Sequence, residues 1–210
     1  MLTSLIVKSM KIVKKYNQII NGSAALTQEQ IDWCNKHIQL HQWDEQDGKV
    51  LLRGPKVFEY PEEITHFPVK FANTTTFNCS GLINLKSLDG SPDRVRCDLI
   101  LNSCKSLKNL EGGPIRVEGN IIARNCGIES LKGIATGMGT NPLTRSTYSY
   151  DVITLINCTN LKSLDGLSHR FADYEINIDN AYYPKEKLIY AWRNDITVED
   201  INNFEEDWEI

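Results

Sequence analysis

The chain is short of everything that would announce a catalytic class. It has four histidines in 210 residues, His37, His41, His66 and His169, and no Walker loop, no G-x-G-x-x-G after a strand, no G-x-S-x-G and no H-E-x-x-H. No apolar run approaches the roughly 18 residues of a membrane span. Met1 to Val7 is too short for a secretory leader, and its lysines follow in the wrong order. There is no surplus of base either: Lys and Arg number 23 against 27 Asp and Glu, a formal charge of -4, so a broad phosphate-neutralising surface has no support. These absences lead us to expect a cytoplasmic protein with no cofactor, no resident metal, no small-molecule substrate, and no nucleic-acid or membrane partner. What is present is an ordinary globular profile, 41% apolar and 24% charged with 13 Gly and 7 Pro, which excludes disordered and collagen-like classes. The six cysteines are expected to stay thiols in a chain of this size and compartment.

Four of those cysteines, Cys79, Cys104, Cys126 and Cys158, sit in near-identical settings. The cleanest copy is Leu99-x-Leu101-x-x-Cys104-x-x-Leu107-x-x-Leu110-x-Gly112, and Ile153-x-Leu155-x-x-Cys158-x-x-Leu161-x-x-Leu164-x-Gly166 repeats it without a gap. Ile121-x-Ala123-x-x-Cys126-x-Ile128-x-x-Leu131-x-Gly133 is one residue shorter after its cysteine. Thr74-x-Thr76-x-x-Cys79-x-x-Leu82-x-x-Leu85-x-x-Leu88-x-Gly90 reads as the same unit with one extra triplet, and Val50-x-Leu52-x-x-Pro55-x-x-Phe58 as a fainter earlier copy. The cysteine spacings are 25, 22 and 32; the last accommodates a turn-prone insertion over 136–150. Pro92-x-x-Val95 and Pro114-x-x-Val117 supply return halves that lead into the strands at Leu99 and Ile121.

Period two makes a short strand with alternate residues inward, and the later triplets drop further leucines onto the same core. One such unit cannot bury its own apolar side, whereas four or five stacked units can. The four cysteines are then small apolar side chains at an inward turn. The expected fold is an α+β repeat: a short leucine-rich-repeat-like β-solenoid of four to five coils with helical caps at both ends. The expected divisions are a helical N-terminal cap (1–48), the solenoid (49–167) and a C-terminal cap with an acidic helix (168–210).

The pattern L-x-L-x-x-C/N-x-x-L resembles leucine-rich-repeat proteins over about residues 50–167. It is similar in particular to the short-repeat proteins of tailed bacteriophages, whose units read S-L-x-G-x-P-x-x-V before a strand ending in Cys-Ser or Asn-Cys. Ser87-Leu88-Asp89-Gly90-Ser91-Pro92 through Val95 and Asn109-Leu110-Glu111-Gly112-Gly113-Pro114 through Val117 carry the likeness, as does the leader containing Ile31-Asp32-Trp33, Trp43 and Asp47-Gly48-Lys49-Val50. The irregular third copy, the insertion and the C-terminal tail depart from it. The resemblance implies a phage-encoded accessory protein, made in a bacterial host's cytoplasm, that binds and inhibits a host protein such as a defence component.

The caps are expected as helices over residues 1–20, from Thr27 with Ile31, Cys34 and Ile38 on one stripe, from Pro184 to Asn194, and from Val198 to Trp208. With Leu99, Leu101, Ile153 and Leu155 inward, Ile100, Ile122, Thr154 and Ile156 fall on the outer face, and Phe77 is expected beside them. An apolar outer face calls for a cover, whether a cap folding back, a second copy of the chain, or a foreign protein. Arg145, Tyr148 and Tyr150 of the insertion, and Phe204, Glu205, Glu206 and Trp208 of the acidic-aromatic tail, are further protein-binding candidates. The reading that follows is a non-enzymatic protein-interaction module. Its alternatives are a homo-oligomeric scaffold and a metal-dependent enzyme using Cys34, His37 and His41, whose spacing on one continuous helix would put three ligands on roughly one face.

Overall fold

A computed structural model describes residues 25–138, 151–163, 165–166, 174–178 and 181–184. The first element is helix α1 (Gln28–His37). Thr27 starts it through a reciprocal pair of bonds: its hydroxyl accepts the Gln30 N–H at 3.3 Å, and the Gln30 side-chain oxygen accepts the Thr27 N–H at 2.9 Å. The helix buries Cys34, half-buries Ile31 and Trp33, and stops at His37; Ile38, already extended at φ -120°, is buried as its C-cap. Among the described residues no helix is long and apolar enough to cross a membrane.

Strands β1 (Trp43–Gln46) and β2 (Lys49–Leu52) follow as a hairpin. Asp47 and Gly48 turn it with φ of 52° and 71°, the two positive values that favour an Asp-Gly loop. This corrects the reading of Val50–Phe58 as an early repeat copy: Val50 and Leu52 pair antiparallel with Glu45 and Trp43. The Asp-Gly turn dictates local pairing more strongly than an L-x-L spacing can. Beyond the hairpin, a 3-10 turn (Pro61–Glu63) leads to an aromatic cluster. Phe67, Phe71 and Phe77 lie with ring centroids 5.2 to 5.8 Å apart, and Phe58 stacks on Phe67 at 5.6 Å.

Two sheets are then built from strands that return 21 to 23 residues apart, save for the 32 residues between Ile121 and Ile153. In the first, β3 (Phe77–Asn78), β5 (Leu99–Ile100), β7 (Ile121–Arg124), β9 (Asp151–Ile156) and β10 (Tyr174–Ile178) run parallel, and β11 (Ala181–Pro184) closes the order antiparallel to β10. Phe77, Leu99, Ile121 and Ile153 are in register, and all four are buried. In the second, the return halves β4 (Arg94–Val95), β6 (Arg116–Val117) and β8 (Gly137–Met138) are also parallel, and Val95 and Val117 are fully buried. Residues of both sheets join one apolar cluster with α1 and the aromatic group.

The register corrects the alignment of the first copy. Phe77, not Thr74, pairs with Leu99, so Phe77-x-Cys79-x-x-Leu82-x-x-Leu85-x-x-Leu88-x-Gly90 matches Leu99 to Gly112 at a constant offset of 22 with no extra triplet. Cys79 therefore occupies the inward strand position of Leu101, and Leu82 the turn position of Cys104. A thiol is small enough for either place, and aligning on cysteine moves the unit by three residues. Phe77 is accordingly corrected from the outer face to the interior, where it is wholly buried. The insertion begins later than its expected start at 136, because Gly137 and Met138 extend the return sheet by pairing with Arg116 and Val117. Pro184 ends a strand paired to Glu175 where a helix start was expected. The expected helix over 1–20, the rest of the two C-terminal helices, and Arg145, Tyr148, Tyr150, Phe204, Glu205, Glu206 and Trp208 lie outside the described residues.

Candidate functional site: the outward strand face

Alternation along parallel strands puts the register row Asn78, Ile100, Ile122 and Thr154 on the face opposite the core, and Arg124 beside Ile156 forms the next row. Ile100, Ile122, Thr154 and Ile156 are each half-buried, and Arg124 is exposed. The face is less apolar than the sequence suggests: three isoleucines stand among Asn78, Asp98, Asn102, Asn120, Arg124 and Thr154. Three of these six polar side chains are committed to backbone. Asn78 Oδ1 accepts the Ser80 N–H at 2.9 Å, Asn102 Oδ1 that of Arg124 at 3.0 Å, and Asp98 Oδ1 that of Asn120 at 2.8 Å. At the strand ends Gly81, Ser103, Asn125 and Asn157 all turn with positive φ, and Asn157 donates its amide to Asn125 at 3.1 Å. Such groups hold the strands in register and, among the described residues, leave no convergent polar centre on this face.

The repeat cysteines face inward. Cys104 donates its thiol to the Cys79 carbonyl at 3.2 Å, Cys126 to that of Leu101 at 2.7 Å, and Cys158 to that of Ala123 at 3.3 Å. Each ties a turn to the strand of the preceding copy. Burial pushes the Cys104 and Cys34 thiols up to about 12. Burial likewise raises Cys79 well above the usual thiol value, while Cys126 is raised first by its bond with Cys158 and then by burial. A thiolate, the form that attacks or binds metal, is therefore strongly disfavoured at these positions.

The structure does not bring Cys34, His37 and His41 together. The helix ends at His37, and His41 lies in the following turn with φ 64°, exposed, so the helical spacing on which the three-ligand idea depended is absent. His37 is buried with its ring 5.1 Å from that of Trp33, and its Nδ1 has no hydrogen-bond partner. Among the described residues no three His, Cys, Asp or Glu side chains are grouped to hold a metal ion.

One cluster went unread in the sequence. Arg94 and Arg116 are in register on the return sheet, and both hold Glu118, whose side chain is only 5% exposed. Arg94 Nε donates to Glu118 Oε1 at 2.7 Å, and Arg116 Nε stands 3.3 Å from the same oxygen. At the entry to that sheet Lys49 and Lys70 lie 3.7 and 2.7 Å from opposite oxygens of Asp93. The signal was available in the arginine before the valine of both return halves, Pro92-x-Arg94-Val95 and Pro114-x-Arg116-Val117. No protein-family model, no curated protein and no solved structure matches this chain.

Proposed function

We propose that this protein is a non-enzymatic protein-interaction module, a leucine-rich-repeat-like stack of coils with caps at its ends, whose outward strand face receives another protein. The carrying observation is the registered row Asn78, Ile100, Ile122 and Thr154, with Ile156 beside it, an apolar centre inside a polar margin. That distribution is the one expected of a binding surface. The protonated, inward thiols and the polar side chains spent on backbone bonds support binding over catalysis. The likeness to phage short-repeat proteins favours a phage-encoded accessory protein acting in a bacterial cytoplasm, with a host protein, a defence component among the options, as the inhibited target.

The test is affinity purification of the tagged protein from bacterial lysate, with mass spectrometry and light scattering on the eluate. A stoichiometric foreign protein is expected, and it should be lost from the double variant Ile100→Asp/Ile122→Asp while thermal unfolding stays cooperative. Central interface residues of this kind cost about 2 kcal/mol or more each, roughly thirtyfold in affinity. A self-oligomer would replace this reading with the homo-oligomeric scaffold, and a bare monomer would remove it. Metal found in the folded protein by elemental analysis would reopen the enzyme reading.

A further inference from the structure

We propose that the outward strand face selects its partner by an acidic side chain: Arg124 receives a carboxylate of the partner, and the isoleucines beside it receive the apolar side chains that flank that carboxylate. This rests on the face being a protein-binding surface and names the chemistry that docks there. Arg124 ends β7, whose residues run buried, half-buried, buried and exposed from Ile121 to Arg124. It therefore shares a side with Ile122, and its register neighbour on β9 is Ile156. A same-side step along a strand is about 6.6 Å and a step between strands about 4.8 Å, which sets one guanidinium among two isoleucines.

The charge of Arg124 is not spent within the protein. Among the described residues it takes part in no ion pair, whereas Arg94 and Arg116 of the return sheet both hold Glu118. The carboxylate on the same face, Asp98, accepts from the Asn120 backbone and side-chain nitrogens at 2.8 and 3.1 Å. Asn120 precedes Arg124 by four residues, so Asp98 stands about 13 Å from it along the strand direction, beyond the roughly 8 Å over which exposed charges interact at physiological salt. Asn102 Oδ1 accepts the Arg124 N–H at 3.0 Å and fixes the backbone from which the side chain projects. A guanidinium offers two parallel N–H donors to a carboxylate, sheds water more readily than an ammonium, and is strengthened where apolar neighbours exclude solvent. A single cation beside isoleucines suits an acidic residue within an apolar segment. A nucleic acid would need several cations along its backbone, and meets a net charge of -4.

The probes are three fluorescein-labelled peptides, read by fluorescence anisotropy on the full chain, each built of Leu-Ser-X-Ser units in which X is glutamate, glutamine or lysine. In an extended peptide residues two apart share a side, so leucine and X are offered at the same step of about 6.6 Å. The glutamate peptide should bind about tenfold more tightly than the glutamine peptide, and the lysine peptide least, although a net charge of -4 favours the lysine peptide in bulk. Arg124→Gln should abolish the preference for glutamate, and Arg124→Lys, which keeps the charge without the fork, should keep only part of it. Arg124 is exposed, so both variants should unfold at the parent's urea midpoint. Lys86→Gln removes an exposed charge away from this face and should change binding by less than about twofold. Equal binding of the glutamate and glutamine peptides, or a glutamate preference that survives Arg124→Gln, would overturn the role of Arg124 while leaving the face as a binding surface. Failure of all three peptides to bind would also overturn it, and capture from lysate with the Ile100→Asp/Ile122→Asp control would then decide the face by itself.

Discussion

Phe77 to Gly90 and Leu99 to Gly112 repeat position for position, whereas the copy Ile121 to Gly133 is a residue short and reverses the charges on its surface. In the first two copies and the last, the residue after the middle apolar position is basic: Lys86, Lys108 and Lys162. In the third it is Glu129, which lies 2.7 Å from Lys108 and 3.3 Å from Lys162. The residue before the terminal glycine is acidic in the other copies, Asp89, Glu111 and Asp165, and in the third it is Lys132, 2.9 Å from Glu111. The inward leucines are nearly interchangeable between copies and so cannot say which copy belongs beside which. Two reciprocal charge reversals can, because displacing the third copy by one place would set like charges together.

The glycines test what all copies share, and there the largest effect is expected. Gly112 turns with φ 77°, and a Cβ there would stand 2.5 Å from the Asp89 amide nitrogen of the preceding copy. Gly81 turns with φ 85° but has nothing within 4 Å of the same added atom. Gly81→Ala should cost only the left-handed conformation, about 1 kcal/mol, and Gly112→Ala about 3 kcal/mol or more, read from urea midpoints. Equal costs would mean that the copies are not in backbone contact.

Cys126→Ala should come next, at about 1 to 2 kcal/mol, from a lost thiol bond to the Leu101 carbonyl and a small void. The same packing predicts selective labelling. Native protein exposed to a maleimide near neutral pH should react first at half-buried Cys97, while the five buried thiols react only on unfolding. Fast labelling of Cys104 or Cys126 would contradict the inward thiol arrangement.

Reversing the third copy's sign at one place should be milder and salt-sensitive. Lys132→Glu sets a carboxylate against Glu111, so the urea midpoint should fall slightly at low salt, recover with added salt, and recover again in Glu111→Lys/Lys132→Glu. The pH dependence has two arms. Glu129 is held below the ordinary carboxylate range by Lys108 and then Lys162, and Asp93 by Lys70. Their stabilisation is therefore present above about pH 4 and is lost as pH falls through their lowered folded values. Lys132 is raised by Glu111, so its part is present below the usual lysine value, about 10.4, and is lost as pH climbs through the raised one.

The spacing of the units that open at Leu99, Ile121 and Ile153, the helix opened by Thr27 and the two return halves were legible in the sequence because each is a local pattern of residue types. The face of Phe77 was not, since β3 is two residues long and two residues contain no alternation to phase. Cys79 misled for a related reason, being a residue type that suits strand and turn alike. The charged cluster was hidden by distance along the chain: Arg94 meets Glu118 from 24 positions away, and only the pairing of the return halves closes that gap. The outward row was legible at Ile100, Ile122 and Ile156 but not in its polar margin, which forms across strands.

The smallest effect belongs to a column in which the first and third copies differ in chemistry instead of sign. Ser91, Gly113 and Ile134 follow the terminal glycines of successive copies, and Ser91 and Ile134 are both buried. The Ser91 hydroxyl has no hydrogen-bond partner, while its carbonyl accepts from Lys70 Nζ. A buried hydroxyl without a partner gives up its hydration and receives nothing in return, so removing it should relieve that cost and create almost no void. Ser91→Ala should leave the urea midpoint unchanged or raise it by a few tenths of a kcal/mol. A loss above about 1 kcal/mol would show that the hydroxyl bonds to an ordered water, and that this column is polar in the first copy where Ile134 makes it apolar in the third.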